Sequence, residues 1–86
     1  MVEKIKFRIV NDPEWRKGRQ FMKELAEELA TSIKFHDATE VITTTGVEIF
    51  LHPDVRGFSF ITCKVQDLAF KPLIQKYRSK YTDTEQ

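Results

Sequence analysis

The chain is short of several residue types, and each shortage excludes something. It has one cysteine, three glycines, three prolines and two histidines in 86 residues. With Cys63 alone, no intrachain disulfide can form and no thiolate zinc cluster can be assembled within one chain, so a reducing, cytoplasmic setting is expected. The glycines stand apart at 18, 46 and 57, which leaves no phosphate-cradling loop, and Ser32, Ser59 and Ser79 lie in no nucleophile elbow. Charge of one sign is also missing. Fourteen Lys and Arg against thirteen Asp and Glu leave a net charge of +1, no bulk pull toward nucleic acid or membrane. Long hydrophobic runs are absent too. Charges interrupt Met1-Val2-Glu3-Lys4-Ile5-Lys6, where an export signal needs an unbroken apolar run, and no uncharged stretch approaches the roughly 18 residues of a membrane helix. A soluble protein without membrane contact is expected.

What is present is 41% apolar and 12% aromatic residues, including seven Phe, enough for one core. Residues 1–81 read as a single domain and 82–86 as a frayed tail. Ile5, Phe7 and Ile9 alternate with Lys4, Lys6 and Arg8, the period of a strand with one apolar and one cationic face. Asn11-Asp12-Pro13 supplies a cap acceptor followed by proline at a first helical position. Trp15, Phe21, Met22, Leu25, Ala26, Leu29 and Ile33 then follow the spacing of one buried helical stripe. Gly18 interrupts the pattern at a cost of about 1 kcal/mol relative to Ala, so the first turn is expected to be separate or kinked.

From Thr39 the composition turns β-branched and aromatic, with turn signals at Thr45-Gly46 and from Pro53-Asp54 to Gly57. The pattern predicts three antiparallel strands at 40–44, 47–52 and 58–65. A second helix is expected from Pro72, with Leu73, Ile74, Tyr77 and Tyr81 on one face. These elements make an α+β, two-layer sandwich in the order β-α-β-β-β-α, with the long helix packed on a mainly antiparallel four-stranded sheet.

The segment Arg56-Gly57-Phe58-Ser59-Phe60-Ile61-Thr62-Cys63 resembles the octapeptide of RNA-recognition-motif domains. Arg56, Gly57, Phe58 and Phe60 match strictly, and Ser59 and Ile61 are conservative changes. The resemblance implies that Phe58 and Phe60 stack on bases while Arg56 meets phosphate. It covers eight residues only. That family's companion motif carries an outward aromatic on the first strand, where this chain has Lys4, Lys6 and Arg8, and its order is β-α-β-β-α-β.

Strand alternation groups the same residues independently of the resemblance. With Ser59, Ile61, Cys63 and Val65 inward, Phe58 and Phe60 share the outer face. If Val47, Ile49 and Leu51 also point inward, Phe50 and His52 join them, and Lys4, Lys6, Arg8 and Lys64 supply cations. Two-sided burial is the commoner fate of Phe, so cover by helix 2 or by a second subunit is expected. The leading functional reading is a small intracellular, non-catalytic binding module. It meets a protein partner, or a second copy as a homodimer, through Phe50, Phe58 and Phe60 with Ile42 beside them. The alternative is RNA or single-stranded DNA held by Arg56, Lys64, Lys4, Lys6 and Arg8 around the same rings.

A second cluster, Arg16, Lys17, Arg19 and Lys23, sits at the start of helix 1, while Glu24, Glu27 and Glu28 follow. The helix is charged against its macrodipole, which a phosphate or acidic partner at its start would offset. Lys23 to Glu27 pairing on a solvated face is the plainer account. A remaining alternative is a small hydrolytic or phosphate-handling enzyme using His36, His52 or Asp54. Neither histidine matches a ligand spacing, so no metal or cofactor is expected. Cys63 falls on the core face of its strand, away from any base.

Overall fold

The computed structural model describes residues 2–82. Alternation of charged and apolar residues produces β1 (Glu3–Ile9), and a 3₁₀ turn at Pro13–Trp15 leads into α1 (Arg16–Glu28). The meander β2 (Lys34–His36), β3 (Thr39–Thr44), β4 (Val47–Asp54) and β5 (Phe58–Val65) follows. A second 3₁₀ turn at Leu68–Phe70 opens α2 (Lys71–Thr82). One sheet runs β1-β5-β4-β3-β2, antiparallel at every step. The fold is α+β as expected, but the sheet has five strands, not four, and the order is β-α-β-β-β-β-α.

The extra strand is β2, and its origin lies in how α1 stops. The helix ends at Glu28 on a pair of closing bonds, Ala30 N–H to the Glu27 carbonyl (3.2 Å) and Thr31 N–H to the Ala26 carbonyl (2.9 Å), with Ala30 left-handed at φ 54°. This is the Schellman arrangement, usually built on glycine. Ile33 therefore lies beyond the helix rather than on its stripe. Lys34, Phe35 and His36 pair with Val41, Glu40 and Thr39 through a two-residue turn whose Asp37 takes φ 56°, a conformation aspartate tolerates better than most residues.

The separate or kinked first turn expected ahead of the regular helix is present. Trp15 precedes the helix in a left-handed conformation (φ 56°), directly after Glu14 at φ 57°, so the separate first turn is a kink. The cap acceptor is Asp12, which is 1% exposed. Its Oδ1 accepts from Lys17 N–H (2.6 Å), and its Oδ2 accepts from Gly18 N–H (2.9 Å) and Ser59 Oγ–H (2.6 Å). One carboxylate thus satisfies two free donors of the helix and ties it to β5. Gly18 is what lets the two elements meet, because a Cβ there would lie 2.5 Å from Ser59 Oγ and 2.9 Å from Leu51 Cδ1.

The core fills the space between the sheet and both helices. Ile5, Phe7 and Ile9, Ile42, Val47, Ile49, Leu51, Ile61, Cys63 and Val65 project inward onto Phe21, Met22, Leu25 and Ala26 of α1 and Ile74 of α2. Phe21 takes Phe7 edge-on at 5.4 Å and Tyr81 at 6.0 Å. α2 lies beside α1, joined by Lys80 Nζ to Glu24 (2.7 Å) and by the Tyr77 and Tyr81 hydroxyls, which donate to Glu28 and Glu24. Both helices therefore share one face of the sheet. Of the expected tail, Thr82 belongs to α2, and 83–86 lie outside the described residues.

Candidate functional site

The face opposite the helices has no covering element among the described residues, and the register fixes what it shows. One row across the sheet reads Arg8, Phe60, His52, Thr39, His36. The next reads Lys6, Thr62, Phe50, Val41, Lys34, and a third Lys4, Lys64, Glu48, Thr43. Phe58 sits opposite Asp54 at the edge of this array. The expectation that Phe50, Phe58 and Phe60 gather with Lys4, Lys6, Arg8 and Lys64 thus matches the geometry. The expectation that helix 2 covers the rings does not, because α2 packs on the other side. All three rings are half-buried by their sheet neighbours alone. Ile42 is corrected as well: it is fully buried in the core and cannot stand beside them.

Each ring except Phe60 is flanked by a cation. Arg8 and Arg56 approach the Phe58 ring at 5.3 and 5.5 Å, and Lys64 Nζ lies 5.2 Å from the Phe50 centroid. His52 stacks on Phe50 with 6.2 Å between centroids, and the Thr39 hydroxyl lies 3.4 Å from its Nδ1. An open groove beside Phe60 is lined by Lys6, Arg8 and Thr62. Lys4 and Lys64 are placed directly opposite each other, a pairing that costs stability in an antiparallel sheet. Among the described residues, the anions on this face are Glu48 and Asp54, and Asp54 is already engaged. Its two oxygens accept from the Arg56 guanidinium and backbone N–H, holding its carboxyl down at about 2.

The helix 1 cluster does not assemble into a site. Arg16 turns to Glu14 (3.0 Å) and Arg19 toward Glu40 (3.7 Å). The anion expected at the helix start is supplied by the chain itself, since Asp12 occupies the free N–H groups of Lys17 and Gly18. Lys17 and Lys23 make no ion pair among the described residues, so the Lys23 to Glu27 pairing is not seen. The hydrolytic candidates share the open face but are engaged separately: Thr39 stands between His36 and His52, His52 stacks on Phe50, and Asp54 is bound to Arg56. Cys63 is buried, and burial pushes its thiol up to about 12, far from a thiolate at neutral pH.

Sequence reasoning missed two contributions. Lys34 and His36 extend the open face onto β2, a strand of three residues that is too short for its alternation to stand out. Glu40 is buried beside Arg19, and nothing in its spacing signals that. No family model, curated protein or solved structure matches this chain. No helix among the described residues is long and apolar enough to cross a membrane.

Proposed function

We propose that the open sheet face binds single-stranded nucleic acid, with bases stacking on Phe58, Phe60 and the Phe50–His52 pair. Lys4, Lys6, Arg8, Lys34, Lys64 and Arg56 meet the phosphates. The observation that carries this reading is the face itself: half-exposed rings interleaved with Lys4, Lys6, Arg8, Lys34 and Lys64, with Arg56 and Asp54 paired to each other and Glu48 the remaining anion among the described residues of the face. Stacking is tolerant of sequence, and a cationic surround tracks the backbone, which together are what single strands require. The local likeness of residues 56–63 to the RNA-recognition octapeptide supports the same roles for Arg56, Phe58 and Phe60, although the strand order differs from that family's.

Self-association through this face is the weaker reading. Face-to-face packing would set Lys4, Lys6, Arg8 and Lys64 of one copy against the same residues of the other, and like-charge juxtaposition costs several kcal/mol. The test is fluorescence anisotropy of labelled oligo-uridine and oligo-thymidine at low and moderate salt. Affinity should fall by about 0.7 log units per log unit of salt for each phosphate neutralised. Phe60→Ala should weaken binding by about 1–3 kcal/mol without unfolding the chain. An absence of binding at low salt refutes the proposal, and a dimer in sedimentation that Phe60→Ala disperses would favour the protein interface instead.

A further inference from the structure

At its β2 end the sheet carries a second feature, on the inner side and away from the basic face. β2 is exposed along its length, and Phe35, which points to the inner side opposite Glu40, is 73% exposed. Beneath it lies a cleft of about 250 Å³ walled by Trp15, Phe35, Leu51 and Pro53, with Arg19 and Glu40 among its lining. Trp15 is held in place, since its indole N–H donates to the Asp54 carbonyl at 2.7 Å. The Glu40 side chain is only 10% exposed, and no buried side-chain polar atom among the described residues lacks a partner, so its oxygens open onto the cleft. Its nearest cation is the Arg19 guanidinium at 3.7 Å, too far for a hydrogen bond. Arg19 is itself 61% exposed and rests over the Trp15 ring at 5.8 Å.

Burial raises the Glu40 carboxyl above its ordinary range, and Arg19 offsets this only in part. The cleft thus sets a carboxylate that opens into it between apolar and aromatic walls, a fit for a cation on an apolar stem.

We propose that this cleft receives an organic cation of the alkylammonium or alkylguanidinium class, its charged head on Glu40 and its methylenes between Trp15 and Phe35. The head donates to the Glu40 oxygens that face the cleft, and the aromatic walls attract a cation through their faces while accepting its stem. Arg19 already makes a loose version of this contact from within the chain and competes with the ligand. Asp37, also lining the cleft, disfavours an anion there.

Trp15 is the chain's single tryptophan, so its fluorescence reads the cleft directly. The protein is titrated with n-butylammonium chloride and with n-butanol at constant ionic strength. A saturable change with butylammonium is expected, with butanol at least tenfold weaker. Glu40→Gln should lose the response at least tenfold while remaining folded, since it removes a buried charge. Arg19→Gln should tighten binding several-fold by removing the competitor. A short peptide with a central lysine separates the sources: if it binds as tightly as the free amine, the cation arrives on a partner's side chain, and if it is shut out, the ligand is a small molecule. No saturable response, an equal response to butanol, or indifference to Glu40→Gln overturns the proposal. Because the assay contains no nucleic acid, its outcome is independent of the basic face.

Discussion

Replacing Asp12 should be among the most damaging single changes in this chain, although the residue is small and polar and lies in a loop. Its carboxylate accepts three hydrogen bonds, from Lys17 N–H, Gly18 N–H and Ser59 Oγ–H, at 2.6 to 2.9 Å in a site 1% exposed. Losing an N-cap acceptor costs about 0.5–2 kcal/mol, and a hydrogen bond to a charged group is worth about 1.5–3 kcal/mol. The three bonds share one acceptor and do not add fully, so Asp12→Ala is expected to cost about 3–5 kcal/mol. A domain of this length holds roughly 4–13 kcal/mol in total. Urea unfolding followed by circular dichroism should show the midpoint falling by about 2–5 M if the slope is about 1–1.5 kcal/mol per M and unchanged. A double-mutant cycle isolates the link to the sheet. Ser59→Ala should cost about 1–2 kcal/mol in the parent and close to nothing beside Asp12→Ala. A loss below about 1 kcal/mol for Asp12→Ala, or equal costs for Ser59→Ala in both backgrounds, would show that the carboxylate does not anchor α1.

Three further changes test the packing and the electrostatics. Gly18→Ala should destabilise by about 1–3 kcal/mol, since the new methyl meets Ser59 and Leu51, whereas helix propensity alone predicts a gain of about 1 kcal/mol; the sign of the shift in melting temperature decides. Ala30→Gly should stabilise by about 0.5–1 kcal/mol by relieving the left-handed residue that follows α1, and an unchanged or lower melting temperature counts against that strain. For Glu40, folding raises the carboxyl above 4.5, so over the window from there upward the native state keeps a proton that the unfolded chain has released. Stability from this group therefore falls as pH rises through the window. Glu40→Gln should raise the melting temperature at pH 7 by a few degrees, and the gain should shrink in scans below pH 4.5.

Much of the sheet was legible because its residues obey one rule at a time. In β1, β4 and β5 the period-two alternation assigns every side chain to a face, and the turn residues Gly46 and Gly57 adopt positive φ as turn chemistry requires. β2 was not legible, because it is three residues long and the apolar spacing from Leu25 through Leu29 to Ile33 runs smoothly past the true helix end. The stop signal is an alanine, which carries no hint of the left-handed conformation it adopts. The cap at Asp12 was readable, but its reach to Ser59 was not, because that contact joins residues 47 apart in sequence. The basic turn at Arg16 to Arg19 looked unpaired for the same reason: the acid that answers the helix start precedes it through a kink.

The open face poses a different problem, since a net charge of +1 gave no hint of a surface rich in cations. Net charge is an average over surfaces that do not act on a ligand together. Cations collect on the bare face of the sheet, while Glu24, Glu27 and Glu28 collect on α1, where Lys80 and Tyr77 take up part of their charge. The molecule measures 22 Å even along its shortest axis, and the Debye length at physiological ionic strength is about 8 Å. On the proposed function, a phosphate at the Lys6–Arg8 groove would lie more than two screening lengths from charges on the opposite surface. It would respond to the near cations, and the acids behind the helices would contribute little beyond turning an approaching strand toward the basic side. Composition can exclude nucleic acid as a partner only where charge is evenly spread, and the alternation that builds this sheet is what spreads it unevenly.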